Sequence, residues 1–245
     1  MAMRGEKQTT VDPVEAPWNA VDESNLRGVL LSWRALLLSL ASSVVFLILF
    51  AWLSEEVFEG DLRRFDMAVR MKVHEFFSPQ MTKFMQTLTF LGSIGFLSSL
   101  FIVITAYWII RKKYRTAVWL AMAAGGSVVL DISLKLSFHR PRPVPFVGMV
   151  PMTYSFPSGH SLSSFCFYGV LAGLVCARIQ SRAGRAVIWS ATALLVLAIG
   201  VSRIYLGVHY PTDVIAGYIA AATWVSALLL ALYSKREVTL RRSTA

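Results

Sequence analysis

Residues 35–53 read ALLLSLASSVVFLILFAWL, a run without a single charge. A helix rises about 1.5 Å per residue, so roughly 20 such residues cross the ~30 Å of hydrocarbon in a bilayer. Five comparable runs follow, at 84–110, 116–134, 161–177, 186–202 and 214–233, the second of these interrupted by Asp131. Some thirty polar or mixed residues precede the first run and no small-residue cleavage site follows Trp52-Leu53, so it reads as a retained span rather than a removed leader. Backbone groups in hydrocarbon must find partners within their own segment. Runs of this length, with small residues such as Gly169-x-x-x-Gly173, therefore form helices rather than barrel strands. The expected fold class is all-α, a polytopic membrane bundle of six transmembrane helices.

Composition points the same way. Of 245 residues, 56% are hydrophobic and 16% charged, against roughly 25% charged in soluble domains. A water-soluble or wholly disordered chain is excluded. The two cysteines, Cys166 and Cys176, lie inside one apolar run, lack metal-ligand spacing, and are expected to be free, buried thiols. A net charge of +10 raises the question of nucleic acid, but the positive residues lie mostly between apolar runs, which points to a bilayer and to no nucleic-acid partner.

Lysine and arginine counts set the expected orientation. Fifteen of the twenty-four fall on one side, in clusters such as Arg111 to Arg115 and Arg178 to Arg185, which places both termini in the cytoplasm. The opposite side holds Arg63, Arg64, Arg70, Lys72 and Lys83 in a loop with six acids, and Lys135, Arg140, Arg142 and Arg203, which need a separate explanation. Between the first two runs, Phe58, Leu62, Phe65, Val69, Val73 and Phe76 recur at helical steps, predicting an amphipathic helix in the outer interface. It covers helix ends or walls a lipid entrance. Residues 1–28 read as a disordered cytoplasmic tail, 29–234 as the six-span domain and 235–245 as a second cytoplasmic tail.

The chemistry concentrates in three places, all on the outer side of this topology. They are Lys135, six residues, Arg142-Pro143; Pro157-Ser158-Gly159-His160; and Ser202-Arg203, five residues, His209, three residues, Asp213. Three cations suit a phosphate dianion, arginine through its two-pronged guanidinium and lysine as a point charge. Ser158 and Gly159 open the fourth span, so their backbone N–H groups and the positive helix end can face an anion. Neutral His209 can attack phosphorus while protonated His160 donates to the leaving oxygen, with Asp213 holding the other ring nitrogen of His209. No metal or other cofactor is called for.

These three stretches match, in order and spacing, the signature motifs of the type 2 phosphatidic acid phosphatase superfamily, and the chain resembles its integral-membrane lipid phosphate phosphatases. The resemblance covers most of the chain outside the two tails. It implies metal-independent hydrolysis through a phosphohistidine, with His209 as nucleophile, Asp213 as its orienting partner and His160 as general acid. It further implies that Lys135, Arg142, Arg203, Ser158 and Gly159 hold the phosphoryl oxygens. Soluble vanadate-dependent haloperoxidases share the constellation but lack six spans, so peroxidase activity is remote.

The implied substrate is a lipid phosphate or diphosphate whose tail stays in the bilayer, because moving it into water costs about 0.8 kcal/mol per CH₂. Undecaprenyl diphosphate is the first expectation, with phosphatidylglycerophosphate, phosphatidate or a lipid A phosphate as alternatives. The expected location is a bacterial cytoplasmic membrane with the site on its periplasmic or extracellular side. A non-hydrolytic phospholipid carrier or flippase is the reading from another class; it would usually need access from both faces.

Blander readings exist for each residue. Lys135 can be the helical partner of Asp131, Arg142 can hold a loop, Ser158 can cap a helix, and Asp213 can answer the dipole of the last span. Outside the motif positions, His139 and Arg140 read as loop or headgroup contacts, Arg140 alternatively touching a second phosphate. His74 reads as solvated, and Tyr107, Trp108 and Tyr114 as an interface belt.

Overall fold

The structure, a computed structural model, describes residues 33–149 and 151–243. The expected tail at 1–28 lies outside the described residues. Described in chain order are α1 (Trp33–Glu59), α2 (Arg63–His74), α3 (Pro79–Leu91), α4 (Ile94–Ile110), α5 (Tyr114–Phe138), α6 (Gly159–Cys176), α7 (Arg182–Tyr205) and α8 (Pro211–Ser243). The fold is all-α. Five helices are long and apolar enough to cross a membrane, namely α1, α5, α6, α7 and α8, and the bent pair α3–α4 makes a sixth span if taken as one. The last helix continues through Ser243, well past the apolar run that ends at 233.

Packing centres on α6. Helices α5, α7 and α8 all lie against it, α1 covers α8, and α3 covers α7. One buried cluster joins Phe50, Leu53 and Val57 of α1, Leu162 and Cys166 of α6, and Ala216, Ala220 and Ala221 of α8. A second joins Leu97 and Trp108 of α4, Ala117 and Leu120 of α5, and Phe167 of α6. Trp108 is therefore a core residue, 4% exposed, whereas Tyr107 and Tyr114 of the expected belt are each 58% exposed. Trp108 belongs to the core because its position faces α5 and α6. Both cysteines are free and buried.

The run at 84–110 is not one straight helix. It begins earlier, at Pro79, with Ser78 as N-cap accepting from the Met81 amide, and breaks at Gly92-Ser93 with a bend of 45°. Ser93 restarts the chain by capping α4, its hydroxyl accepting from the Phe96 amide at 3.3 Å. A break inside hydrocarbon frees backbone carbonyls that need partners. Tyr168 of α6 supplies one, its hydroxyl donating to the Leu91 carbonyl at 2.8 Å. Glycine at 92 is dictated by proximity: a Cβ there would lie 2.5 Å from Cγ2 of Ile199 and 3.3 Å from Cδ2 of His160.

The predicted amphipathic helix after the first run corresponds to α2, with Phe58 at the end of α1 instead. Its polarity is partly reversed relative to a soluble helix: two charged residues turn inward, although Arg63, Arg64 and Lys72 stay exposed. Asp66 and Arg70 are the buried residues, while Phe65, Met67 and Met71 are exposed. His74, expected to be solvated, stacks on Phe146 with ring centroids 4.1 Å apart.

Alternating helix directions bring the C-termini of α5 and α7 and the N-termini of α6 and α8 to one end of the bundle. The basic turns Arg111 to Arg115 and Arg178 to Arg185 lie between α4 and α5 and between α6 and α7, at the opposite end.

Because Cγ2 of Ile199 branches next to the backbone, it cannot swing aside for a methyl at position 92. Gly92→Ala should cost about 1–3 kcal/mol, lowering the melting temperature of the detergent-solubilised protein by several degrees. Combined with Ile199→Ala, which removes Cγ2, the loss should be smaller than the sum of the two single losses. Full additivity would show that the approach at Gly92 is not tight.

Candidate active site

Each motif residue reaches the site from a helix end or the loop beside it. Lys135 is in the last turn of α5; Arg142 is in the loop that follows; His160 is the second residue of α6; Arg203 is in the last turn of α7; His209 lies between α7 and α8; and Asp213 is in the first turn of α8. His160 lies within electrostatic reach of Arg203, His209, Lys135 and Arg142. The two imidazoles and three cations thus face one another at a single end of the bundle.

His209 is buried, 1% exposed, and its two ring nitrogens have different neighbours. Nε2 is 2.9 Å from Nη1 of Arg142. A guanidinium only donates, so Nε2 carries the lone pair and the proton sits on Nδ1. Nδ1 in turn lies 3.3 Å from Oδ2 of Asp213. Burial pushes the His209 imidazole down to about 4; the Asp213 carboxylate opposes that shift, and Arg142 and Arg203 reinforce it. The ring is therefore neutral at ordinary pH, with its lone pair directed into the cationic cluster.

Asp213 is fully buried and holds the other two motifs as well as its own. Its Oδ1 accepts from Nη1 of Arg140. Its Oδ2 accepts from the hydroxyl of Ser155 and, at 2.8 Å, from the amide of Tyr210. Its backbone carbonyl accepts from the Ser158 amide at 2.9 Å. This last bond corrects one expectation: the Ser158 N–H is committed to Asp213 and is not available to an anion, because α8 packs directly on the start of α6. Ser158 is the N-cap of α6 by position, but its side chain makes no capping bond and instead accepts from Ser161 Oγ at 3.2 Å. The Ser158 hydroxyl and the positive end of α6 beyond it are what remain for an anion.

The cations are held differently from one another. Arg142 is anchored through Nε to the Thr153 carbonyl at 2.7 Å and through Nη2 to the Thr153 hydroxyl at 2.9 Å. Its Nη1 also reaches the Val208 carbonyl at 2.9 Å, and burial lowers its pKa from the ordinary arginine value. Arg203, 9% exposed, donates from Nη1 to Thr89 Oγ1 at 2.5 Å, while its Nε is buried with no partner. Lys135 pairs with Asp131 at 2.8 Å, the helical pairing its spacing allows. That carboxylate presses on the start of α6: a Cβ at position 159 would fall 2.8 Å from Asp131 Oδ2, so only glycine fits there. The other oxygen of Asp131 is buried without a partner.

Several residues at this end were not legible as site residues from the motifs. Arg140 is not a headgroup contact. It is largely buried, bridging Asp66 and Asp213, with its guanidinium carbon 4.3 Å from the centre of the Tyr210 ring. Ser155 lies between His209 and Asp213, 3.5 Å from Nδ1. Thr89 of α3 meets Arg203. Asp66 and Thr212 complete a network behind Asp213. His139 closes α5 in a left-handed conformation (φ 50°) and packs edge-on against Tyr154.

The chain is similar in sequence and fold to known proteins. The PAP2 superfamily profile matches residues 116–237. Phosphatidylglycerophosphatase B of Bacillus subtilis is 30% identical over 142 residues, 57% of this chain and 70% of that protein. An undecaprenyl-diphosphatase of Sulfolobus acidocaldarius is 30% identical over 161 residues, 61% of this chain and 73% of that protein. The crystal structure of the transmembrane PAP2-type phosphatidylglycerolphosphate phosphatase from Bacillus subtilis superposes with a TM-score of 0.69 at 26% identity, covering 81% of this chain and 96% of the other. With three linked motifs converging at one end of a membrane bundle and relatives that are lipid phosphatases, the chain belongs to the PAP2 superfamily and is an integral-membrane lipid phosphatase, a hydrolase.

Proposed function

We propose that this protein hydrolyses a lipid diphosphate, undecaprenyl diphosphate first, without a metal and through a phosphohistidine on His209, at the non-cytoplasmic face of a bacterial cytoplasmic membrane. The observation that carries the proposal is the lone pair of His209 Nε2, aimed at Arg142 inside a cluster of cations while Nδ1 is turned toward Asp213. In this mechanism the phosphoryl group takes the place that Arg142 Nη1 occupies against Nε2. Lys135, Arg142 and Arg203 neutralise its oxygens, Ser158 Oγ and the N-terminus of α6 at Gly159 hold another, and His160 protonates the departing oxygen. Water then attacks the phosphohistidine, with His160 now accepting a proton. Asp213 keeps the ring in the productive tautomer throughout.

The lipid assignment has a second support. An apolar groove of about 230 Å³ between α1, α2 and α8 is lined by Leu49, Trp52, Leu53, Phe65 and Ile215, with Thr212 beside Asp213 at its edge. A hydrocarbon tail fits such a surface, and lateral entry leaves the tail in the bilayer. The preference for a diphosphate rests on charge: it presents more negative oxygen to three cations than a monoester does. The named relatives divide between the two substrate types at equal identity, so a panel ranked by kcat/KM decides. Undecaprenyl diphosphate should lead; leadership by phosphatidylglycerophosphate or a lipid A phosphate would reassign the substrate while keeping the chemistry.

Phosphate release in EDTA by the purified protein should survive, and His209→Ala should reduce it at least about a thousandfold. Release unchanged in that variant, or lipid movement across vesicles that persists without hydrolysis, would overturn the proposal in favour of another nucleophile or of transport.

The pH profile follows from His209. Its attacking form is neutral, and a pKa pushed down to about 4 keeps it neutral at every pH above that, so the acid limb of kcat/KM should lie well below the ordinary histidine value. Since His160 must carry a proton to donate, and a bound phosphate dianion beside it favours that proton, kcat should fall toward alkaline pH. A flat profile from about pH 5 to 9 would contradict that pair of roles.

Truncating a phosphate-holding cation should raise the barrier without abolishing binding. Lys135→Ala should lower kcat/KM by about a hundredfold and weaken inhibition by vanadate, which mimics the trigonal phosphoryl group. Unchanged values would remove Lys135 from the site.

A further inference from the structure

Behind Asp213 lies a buried network that the three motifs do not include. Asp66 of α2 is 0% exposed, and both of its oxygens are used. Oδ1 accepts from the Thr212 amide at 3.0 Å. Oδ2 accepts from the Thr212 hydroxyl at 2.7 Å and from Arg140 Nη2 at 2.8 Å. Arg140 spends its other arm on Asp213 Oδ1 and on the Thr212 hydroxyl, the latter at 2.9 Å. One guanidinium therefore bridges two buried carboxylates, one on the surface helix and one touching His209.

We infer that Asp66 is a positioning residue for the phosphatase reaction, acting through Arg140 and Thr212 to fix the orientation and effective charge of Asp213 against His209. The geometry leaves little alternative use for this carboxylate. An isolated buried carboxylate is costly, and burying a second one beside Asp213 makes sense only if a shared cation needs both. With Asp66 present, Arg140 is divided between two anions, so Asp213 retains more negative character toward Nδ1–H of His209. Without it, Arg140 turns wholly to Asp213 and weakens that character. The planar fork of arginine can hold two carboxylates at once, which a lysine cannot do in the same way. Thr212 adds direction: its amide and hydroxyl fix Asp66 at the first turn of α8, one residue before Asp213.

Charged neighbours have to be counted on every side. His209 faces Asp213 of α8, Arg142 of the preceding loop and Arg203 of α7, with His160 of α6 nearby. Asp66 faces Arg140 and, at longer range, Arg70 of its own helix, which also faces Asp213 and Tyr210. Arg70 does not replace Arg140, because its Nη2 is committed to the carbonyls of Val144 at 2.8 Å and Gly207 at 3.2 Å. Removal of Asp66 thus changes the field at Asp213 through Arg140.

This inference rests on His209 being the nucleophile. The test is the pH dependence of kcat for the full chain in detergent micelles with phosphatidate as the assay lipid, comparing Asp66→Asn, Asp66→Glu and Thr212→Val. Asp66→Asn keeps the shape and removes the charge. It should lower kcat about tenfold, leave KM within about twofold, and move the acid limb down by about one pH unit, since loss of a negative charge disfavours the imidazolium form of His209. Asp66→Glu should return the limb to its unsubstituted position. An unmoved limb in Asp66→Asn, or a loss that tracks melting temperature alone, would overturn the proposal. Should Asp66→Asn not fold, Thr212→Val, which removes the hydroxyl's bonds to Asp66 and Arg140 without altering charge, should still lower kcat about threefold with the limb in place; an unchanged kcat overturns it. If His209→Ala retains activity, the nucleophile assignment fails first, and that result is separate from an unmoved limb in an enzyme that depends on His209.

Discussion

A carboxylate at position 213, removed from water, ties the three motifs together. Arg140 from the first, Ser155 and Ser158 from around the second, and Tyr210 and His209 from the third all make hydrogen bonds to Asp213, through either its side chain or its carbonyl. A cluster of cations in a buried pocket repels itself, and the chain sets anions among them: Asp213 and Asp66 on Arg140, and Asp131 on Lys135. Leaving one such charge without its partner would be strongly destabilising. Among the described residues, Arg142 and Arg203 bond only to neutral groups, so the network keeps a surplus of positive charge, and in the proposed reaction phosphate answers it by exchanging with Arg142 at the lone pair of His209.

Helix packing makes this network possible. The end of α5, the start of α6, the end of α7 and the start of α8 must lie at one depth, and α6 at the centre sets that depth by touching the other three. The break at Gly92-Ser93 belongs to the same requirement. It frees the Leu91 carbonyl for Tyr168 on α6, close to Thr89, which α3 presents to Arg203 on α7. The bent pair α3–α4 therefore serves as a wall of the site.

Much of this was legible in the linear sequence because the signals are local. Long apolar runs declare membrane helices, and Lys135, Arg142, His160, Arg203, His209 and Asp213 keep fixed spacings whose chemistry suits phosphate. What stayed hidden depends on contacts between distant segments. Thr212 and Asp66 are 146 residues apart, and Asp66 sits between apolar positions of a short amphipathic helix, where an acid normally faces water. In α2 the acid turns in, toward Arg140 and Thr212, while Phe65, Met67 and Met71 turn outward beside Arg63, Arg64 and Lys72. Arg140, between His139 and Pro141, carries no local sign of its two carboxylates. The uninterrupted run at 84–110 concealed a bend; its one clue was the Gly92-Ser93 pair, whose meaning depends on Ile199 and His160 coming close. The Ser158 amide looked free for an anion because the approach of α8 cannot be read from the motif itself.

The most direct test of this account is to catch the intermediate and identify the phosphorylated atom. Rapid alkaline quenching of the wild-type enzyme during turnover of a lipid phosphate radiolabelled in its terminal phosphate, followed by peptide mapping and phosphohistidine isomer analysis, should place the label on Nε2 of His209. Label on Nδ1 of that ring, on His160 or on another residue would contradict the tautomer and the roles assigned around Asp213, as would turnover without any acid-labile, alkali-stable label.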